Sequence, residues 1–594
     1  MGEEARMTLL ASSAFLSVDN SLTGRSWRGP DPAIERAAEA LAQESRLPLP
    51  VSRILAERGV SAHEAQAYLE PRLRDLLPDP LSLRDMDKAA GRILRAVSGQ
   101  QRIAIFADYD VDGGASAALL IDWLRRQNIE ATLYIPDRID EGYGPNVPAI
   151  QALAAEHDLI ICVDCGTLSH EALAAASCDT VVLDHHQGGE TLPPVLAVVN
   201  PNRADEDGAL GHLCAAGVVF LTLVQCNRLL REAGRPQPDL IGLLDLVALA
   251  TVADVAPLIG VNRAFVRQGL TIMARRERPG LVALSDVARL DSAPNAFHLG
   301  FLLGPRINAG GRVGRADLGA QCLSCTDTTR AARYAEELEA LNRDRRAIEA
   351  AVRESALAQV EARAAAQGQG LLAWAADQGW HPGVVGIVAA RLKEATGLPS
   401  VVIGVENGIG KGSARSVPGV DLGRAIQRLA AEGLLLKGGG HAMAAGLTVE
   451  EARIPEAMAR LSELLVREMA ERTGAGELRI SGLLDPAGAT VELMQLLERA
   501  GPFGQAAPAP RFAFAEQLID SASTMGDSHL RLRFRSPGSP VLEAVAWGAM
   551  TGPLGPALLG AKGRRFHLAG RLELSLWGGR ERVRLRLDDA APVG

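Results

Sequence analysis

The sequence predicts a multidomain α/β protein: a parallel-sheet domain, a long bridging helix, a second and smaller α/β domain, and a C-terminal β-barrel. Three observations predict it. The chain has 594 residues, and a single core stops growing near ~250–300 residues, so two domains are a minimum. Between residues 50 and 270 short β-branched runs alternate with Ala/Leu-rich helical stretches, the pattern of βαβ units and a parallel sheet. Beyond 475 the period changes to two, with apolar and basic residues alternating between Gly/Pro turns, as in a small antiparallel barrel or sandwich.

Each element follows in order. Residues 1–49 read as an arm plus a short helix, punctuated by Ser, Gly, Arg and Pro at 21–32. The first α/β domain, 50–275, has strand candidates at 102–107, 131–135, 159–163 and 180–183. Residues 276–367 hold a Gly-rich connector at 304–314 and then one helical pattern at 329–366, free of Gly and Pro. Leu338, Leu341, Ile348 and Val352 give that helix one apolar face, and at 1.5 Å per residue it reaches ~55 Å. The second domain, 368–455, ends in the Gly-rich run 438–446. The barrel domain, 456–594, has strand patterns at 529–535, 566–577 and 582–587.

Composition excludes several classes. The net charge of −9 rules out a uniformly basic nucleic-acid coat, so any polyanion site must be a local cluster of Arg and Lys or a bound metal. With 11 Phe, 6 Trp and 5 Tyr, base stacking along the whole chain is excluded, though a local platform is not. No run of ~18 uncharged apolar residues predicts a membrane span. The apolar stretch 9–16 is interrupted by Ser12 and Ser13 and preceded by Glu3 and Glu4, which is no export signal. A cytoplasmic protein with reduced thiols is the expectation for its seven Cys. The pairs Cys162/Cys165 and Cys322/Cys325 have C-x-x-C spacing, but they lie far apart and read as buried small side chains.

The chemistry concentrates at strand ends. The first strand runs into Asp108, Asp110 and Asp112, followed by Gly113 and Gly114; the third ends in Asp164 and the fourth in Asp184, His185 and His186. Asp254 closes the helical run 246–253. An acid after a strand is commonly a helix cap. Three strand ends of one sheet carrying acids, where parallel α/β proteins bind ligands, would however repel one another without cations between them. Mixed Asp/His donors suit Mn²⁺ or related ions, and a pair of ions would serve phosphoryl transfer.

These segments resemble the successive motifs of the DHH phosphoesterase superfamily. Later segments resemble its RecJ branch, single-strand-specific 5′→3′ DNA exonucleases: Gly304 to Arg312, Gly379 to Gly386, Gly412 to Ser416, and Gly438 to Gly446, which looks like the signature of a DHHA1-type domain. The resemblance implies a parallel-sheet DHH domain, a DHHA1-type substrate-binding domain and an OB-like barrel. It implies Asp110, Asp112, Asp164, His185 and Asp254 as ligands of two Mn²⁺ or Mg²⁺ ions. His186 would contact the scissile phosphate, Asp184 would orient or bridge, and Asp108 joins the catalytic set. Arg138, Arg306, Asn308, Arg312, Ser413, Arg415, Gly439, Gly440 and His441 would bind substrate. Ala507, before Pro508, departs from the Asn usual in the family.

The barrel supplies separate support. Between 531 and 587 stand eleven Lys and Arg against three acids, interleaved with Phe534, Phe566 and Trp577. Such a face fits OB-fold binding of single strands by backbone tracking and stacking; the alternative is a solvated basic face with those aromatics in the core. The expected partner is single-stranded DNA with a 5′ end, possible further partners being a helicase or a single-strand-binding protein, and the expected state is a monomer. Two rival classes are a DHH phosphoesterase acting on short oligonucleotides or cyclic dinucleotides, and a non-catalytic DNA-binding replication scaffold. The basic barrel counts against the first, and retention of every motif acid against the second.

Overall fold

The structure, a computed structural model, describes residues 14–138, 141–368, 370–470, 476–577 and 580–593, without the side chains of 576, 577 and 580. The chain divides into two compact units: Leu77–Thr473, and Met1–Leu76 together with Gly474–Gly594.

In the larger unit, β1 (Ile103–Ala107), β2 (Thr132–Tyr134), β3 (Leu159–Val163), β4 (Asp179–Leu183) and β5 (Ala197–Val199) form an all-parallel sheet of order β2-β1-β3-β4-β5. Every residue of β1 and β3 is buried, because a parallel sheet is covered on both faces and its strands read as continuous apolar runs. The helices that matter to the site are α1 (Val111–Arg125), α2 (Ala215–Glu232) and α3 (Leu244–Ala253). α3 is apolar almost all round and accordingly buried.

The segment expected as a Gly-rich connector is instead helical. A π-helical turn, His298–Leu303, leads into α4 (Gly304–Val313). Propensity argues against a helix here, at ~1 kcal/mol per Gly relative to Ala, but close packing requires the glycines. A Cβ on Gly311 would lie 2.5 Å from the Tyr109 ring, and one on Gly310 2.9 Å from the Arg315 carbonyl. The long helix α5 (Thr328–Gln367) has 40 residues, about 60 Å at 1.5 Å each. The Asp327 side chain caps it by accepting from Arg330 N. Val352 and Ala356 share a core cluster with Val384 and Val388 of the next lobe, and Ile348 packs against it.

That lobe is a sheet of order β9-β10-β8-β7-β6, made of β6 (Ala373–Gln378), β7 (Ser400–Glu406), β8 (Ile409–Arg415), β9 (Lys437–His441) and β10 (Ala444–Glu450), with α6 (Pro382–Thr396) on one face. Only β6 and β7 pair in parallel. α7 (Ile454–Ala470) buries Ile454, Ala457, Met458, Leu461 and Leu465 in the same core. The lobe therefore extends to Ala470, past the boundary expected at 455.

In the smaller unit β11 (Phe512–Met525), β12 (His529–Arg535), β13 (Leu542–Ala546), β14 (Arg565–Trp577) and β15 (Arg580–Pro592) run in the order β11-β12-β13-β15-β14, and β14 pairs back onto β11 to close a five-stranded barrel. The barrel is not wholly antiparallel, since β13 and β15 pair in parallel. Along β12, Leu530, Leu532 and Phe534 point inward and Arg531, Arg533 and Arg535 outward. Phe534 and Phe566 are fully buried core residues, which corrects their expected place on a stacking face: strand alternation turns apolar side chains inward. The side chains of Trp577 and Arg580 lie outside the described residues. Trp547, 47% exposed, packs its ring on His529 at 4.9 Å and under Arg584 at 5.9 Å. The N-terminal arm is integral to this unit. Ser26–Arg28 pairs with Glu477–Arg479, and Trp27 Nε1 donates to buried Asp589 at 3.0 Å.

Among the described residues no helix is long and apolar enough to cross a membrane. Cys162 and Cys165 lie in the core beside Phe106 and Ile150, and burial pushes both thiols well above their ordinary pKa.

Candidate metal centre and phosphate cleft

Six acids and two histidines converge at the carboxyl edge of the parallel sheet. Asp108 leaves β1, and Asp110 caps α1, accepting from Asp112 N at 2.8 Å and Gly113 N at 3.1 Å. Gly113 allows that tight entry, because a Cβ there would collide with the Asp108 carbonyl oxygen. Asp112 accepts from Ala215 N (2.7 Å) and Ala216 N (2.8 Å) at the start of α2, where the helix dipole favours a carboxylate. Asp164 follows β3 with φ +59°, a left-handed conformation that Asp tolerates better than most residues. Asp254 terminates α3.

Asp184 plays a different part. Its carboxylate accepts from Thr167 N (3.0 Å), His185 N (2.8 Å), His186 N (3.2 Å) and His186 Nδ1 (2.8 Å). Burial opposes its charge, but the His186 and Thr167 hydrogen bonds prevail and hold its pKa below the usual carboxylate range. With its oxygens so engaged, Asp184 orients the two histidines. His185 Nε2 then stands 3.3 Å from Asp164, 3.6 Å from Asp112 and 3.8 Å from Asp254.

The donors form three overlapping groups, each with its ligand atoms within 4.8 Å: Asp112, His185 and Asp254; Asp108, Asp110 and Asp164; and Asp164, His185 and His186. Asp164 belongs to two of them. Asp108 Oδ1 and Asp164 Oδ1 are buried without a hydrogen-bond partner. Burial first, and then neighbouring acids, raise the pKa of Asp108 and Asp254 to about 8 and lift Asp112 and Asp164 as well. Orphaned, mutually repelling carboxylates beside an imidazole are what divalent transition-type cations satisfy, so the residues fit two ions.

His186 lies at the mouth. Burial disfavours its charge, yet the hydrogen bond and charge of Asp184, with Asp254 and Asp108, outweigh that and raise its pKa to about 9. Tyr143, which sequence reading passed over, places its hydroxyl 3.2 Å from His186 Nε2 and from the Asp164 carbonyl oxygen. A lone Tyr in a Gly-rich loop carries no periodic signal, and only the fold reveals it.

A cleft of about 730 Å³ is lined by Tyr109, Arg138, Arg312, Lys411, Ser413 and Arg415, among others. Arg138 lies 5.0 Å from the Tyr109 ring centre. Arg312 donates to the Gly383 carbonyl at 3.1 Å, and Arg415 to Ser413 Oγ at 3.1 Å. Burial, then repulsion from Arg138, lowers the pKa of both, as expected of a site built for an anion. Register puts Lys411, Ser413 and Arg415 at alternate positions of β8, on one face. Gly446 and Gly439 lie opposite Ser413 across two further strands, and Ala444 and His441 opposite Arg415. A Cβ on Gly439 or Gly446 would meet nothing within 4 Å, so packing does not demand these glycines. Gly440 is needed for its backbone, with φ +148° and the Ala444 carbonyl oxygen in the way of any Cβ.

Two expected substrate contacts do not line this cleft. Arg306, 8% exposed, pairs with Glu339 at 2.6 Å and donates to the Leu302 carbonyl at 2.6 Å. It bolts α4 to α5, since the helical path of 304–313 turns it away from the cleft. Asn308 is not among the cleft-lining residues either, and its Oδ1 is buried without a partner.

Fold and site define a DHH-type phosphoesterase. The family model described as DHH family, N-terminal domain, matches residues 102–251, that of the DHHA1 domain residues 367–467, and that of the RecJ OB domain residues 480–589. The single-stranded-DNA-specific exonucleases RecJ of Dickeya dadantii and Escherichia coli are 37% and 36% identical over 92% of this chain, covering 96% and 97% of their own lengths. The crystal structure of RecJ in complex with Mn²⁺ from Thermus thermophilus matches with TM-score 0.78 at 29% identity, over 96% of this chain and 80% of that one; a Mg²⁺ complex of the same protein matches at 0.72. The chain belongs to the RecJ family.

Proposed function

We propose that this protein is a divalent-metal-dependent exonuclease that degrades single-stranded DNA from the 5′ end to mononucleotides, in DNA repair and recombination. The observation that carries the reading is the set of three overlapping cation-ready ligand groups, in the same unit as an arginine-lined cleft. Asp112, His185 and Asp254 would hold one ion, and Asp108, Asp110 and Asp164 the other. Bound Mn²⁺ or Mg²⁺ supplies Lewis-acid activation of water and neutralises charge developing on the phosphoryl oxygens.

The chain's own residues supply the rest. His186, fixed through Nδ1 by Asp184 and charged at neutral pH, donates to a phosphate oxygen. Arg138, Arg312 and Arg415 bind backbone phosphates, with Arg forks suited to their geometry, and Ser413, Gly439, Gly440 and His441 flank the backbone's path. A 5′-terminal phosphate held by these arginines sets polarity by registering the scissile bond, where small misplacements cost orders of magnitude. The outward arginines of the barrel bind backbone phosphates of single strands.

Domain roles follow the chain, with catalysis in the parallel-sheet part of the unit Leu77–Thr473 rather than from residue 50, since Val51, Ile54 and Leu55 belong to the barrel's core, substrate binding in the lobe after α5, and strand capture in the barrel. A cytoplasmic monomer working with a helicase or single-strand-binding protein suits an enzyme that needs strands opened for it. The test uses 5′-labelled and 3′-labelled strands, single and double, with and without Mn²⁺. A 5′ block should stop digestion and a 3′ block should not. Digestion of 5′-blocked strands with resistance of 3′-blocked ones would overturn the polarity.

A further inference from the structure

We infer that Phe301, backed by Phe297, is a base-stacking platform that seats one nucleobase of the substrate strand in the arginine-lined cleft. This rests on the proposed action on single-stranded DNA.

The two rings are the most solvent-open aromatic pair of the larger unit's described residues: Phe301 is 72% exposed and Phe297 55%. They stack on each other with centroids 5.0 Å apart and planes 20° apart, and the His298 ring meets Phe297 edge-on at 6.1 Å. A single exposed apolar residue needs no explanation; two parallel rings presented together call for one.

The local backbone shows how they are held out. The π-helical turn His298–Leu303 buries Leu299 and Leu303 completely. Phe297 and Phe301 stand two residues before each, on the opposite side of the turn. Single π turns inside helices are rare and concentrate at functional sites. The turn is anchored to the end of α3: a Cβ on Gly300 would lie 3.4 Å from Val252 Cγ1, and one on Gly304 3.4 Å from Ala253 Cβ. Asp254, the next residue, is a candidate metal ligand. The platform is thus fixed to the same helix end as the metal site.

Charge complementarity identifies the occupant. Phe301 lines the same cleft as Arg138, Arg312 and Arg415, so phosphate-binding cations and an open π-face border one cavity. A nucleotide has both parts, an anionic backbone and a flat base. Every base has a π-face, so the contact is sequence-tolerant, as a nuclease acting on strands of any sequence requires. A duplex keeps its base faces covered by neighbouring pairs, so the platform favours single strands.

Stacking of one base on an aromatic side chain is worth ~1–3 kcal/mol, which converts to about 5- to 150-fold in kcat/KM. The experiment places a tetrahydrofuran abasic residue in turn at each of the first five positions of a 5′-phosphorylated strand. It measures single-turnover kcat/KM for wild type, Phe301→Ala and Phe301→Trp with Mn²⁺. Wild type should show one position where base loss slows hydrolysis by 5-fold or more. Phe301→Ala should be slowed on the intact strand by a similar factor and show no further loss at that position; Phe301→Trp should restore both rate and position dependence. Matching thermal melts establish that the variants are folded, as expected for so exposed a side chain. Equal abasic penalties in wild type and Phe301→Ala would overturn the inference, as would an intact-strand rate unchanged by Phe301→Ala. A wild type inert on every single strand would instead overturn the exonuclease reading, a separate outcome.

Discussion

Replacing Asp164 by Asn should separate metal binding from folding. Asn keeps the shape of the side chain and tolerates the φ of +59° that position 164 adopts, where Ala would be strained. The carboxylate belongs to the Asp108/Asp110/Asp164 group and stands 3.3 Å from His185 Nε2, a donor of the other ion position, so its loss weakens both. In the wild type, two sites each filled at 100 times Kd add ~2.7 kcal/mol apiece. The unit Leu77–Thr473 has close to 400 residues, and at ~2.1 cal/mol/K of unfolding entropy per residue each kcal/mol moves its melting point by about 1.2 °C. Saturating Mn²⁺ should therefore raise the wild-type transition by about 6 °C, and that of Asp164→Asn by under ~2 °C. Removing one of several crowded carboxylates relieves repulsion, so without metal the variant should melt no lower than the wild type at pH 8. Hydrolysis should fall by at least ~10²-fold, the scale for loss of one charge-stabilising group. Differential scanning fluorimetry with EDTA or Mn²⁺, beside a labelled-strand assay, measures all three. A full Mn²⁺ shift in the variant, or more than a few per cent activity at saturating metal, would refute the assignment.

Other outcomes follow from the same geometry. In the metal-free protein the folded-state pKa of Asp108 and Asp254, near 8, exceeds the unfolded value near 4. The folded state then holds the extra protons, and stability should fall as pH rises from 5 to 8, by up to ~1.4 kcal/mol per pH unit per group. His186, raised to about 9, adds stability that is full below about 6.5 and lost as pH rises toward 9, in the same direction; EDTA-treated melts that are flat or rising over this range would contradict both. Arg415→Ala should slow digestion of 5′-phosphorylated strands ~10- to 100-fold, the scale of one charge-assisted bond, and 5′-hydroxyl strands much less, read by gel kinetics. Arg531→Ala with Arg533→Ala should flatten the log K against log[salt] slope by up to ~0.7 for each phosphate left unneutralised, measured by fluorescence anisotropy. These two suit the test because Arg584 and Arg586 both pair with Glu573.

Much of the candidate metal centre was legible because its signal is local: Asp108, Asp164 and Asp184 each follow directly on an apolar strand, and parallel topology brings those strand ends to one edge. The long helix and strands β12 and β14 were legible by period. What failed depended on neighbours far apart in sequence. Residues 304–313 read as a loop because glycine count outweighs position; the Tyr109 ring that demands Gly311 is some two hundred residues earlier. Arg306 is motif-matched, but Glu339 neutralises it. Phe534 and Phe566 sit among arginines in sequence and among aliphatics in space. Tyr143 and Phe301 had no pattern to betray them, because their meaning is exposure beside a site that only the fold assembles.

The forty-residue helix has a mechanical consequence. Its first turns bury Ala331, Ala335 and Leu338, and its later turns bury Val352 and Ala356 in the core of the following lobe. It contains no Gly or Pro from 328 to 367, and hinges are usually a few residues in loops or at element ends. The cleft that Arg312 and Arg415 both line should therefore behave as a fixed gauge rather than a closing jaw. A gauge measures thickness without spending time on closure, so strands should associate in one kinetic phase. An adduct too wide for it halts the enzyme outright, and no waiting improves its chance of passage.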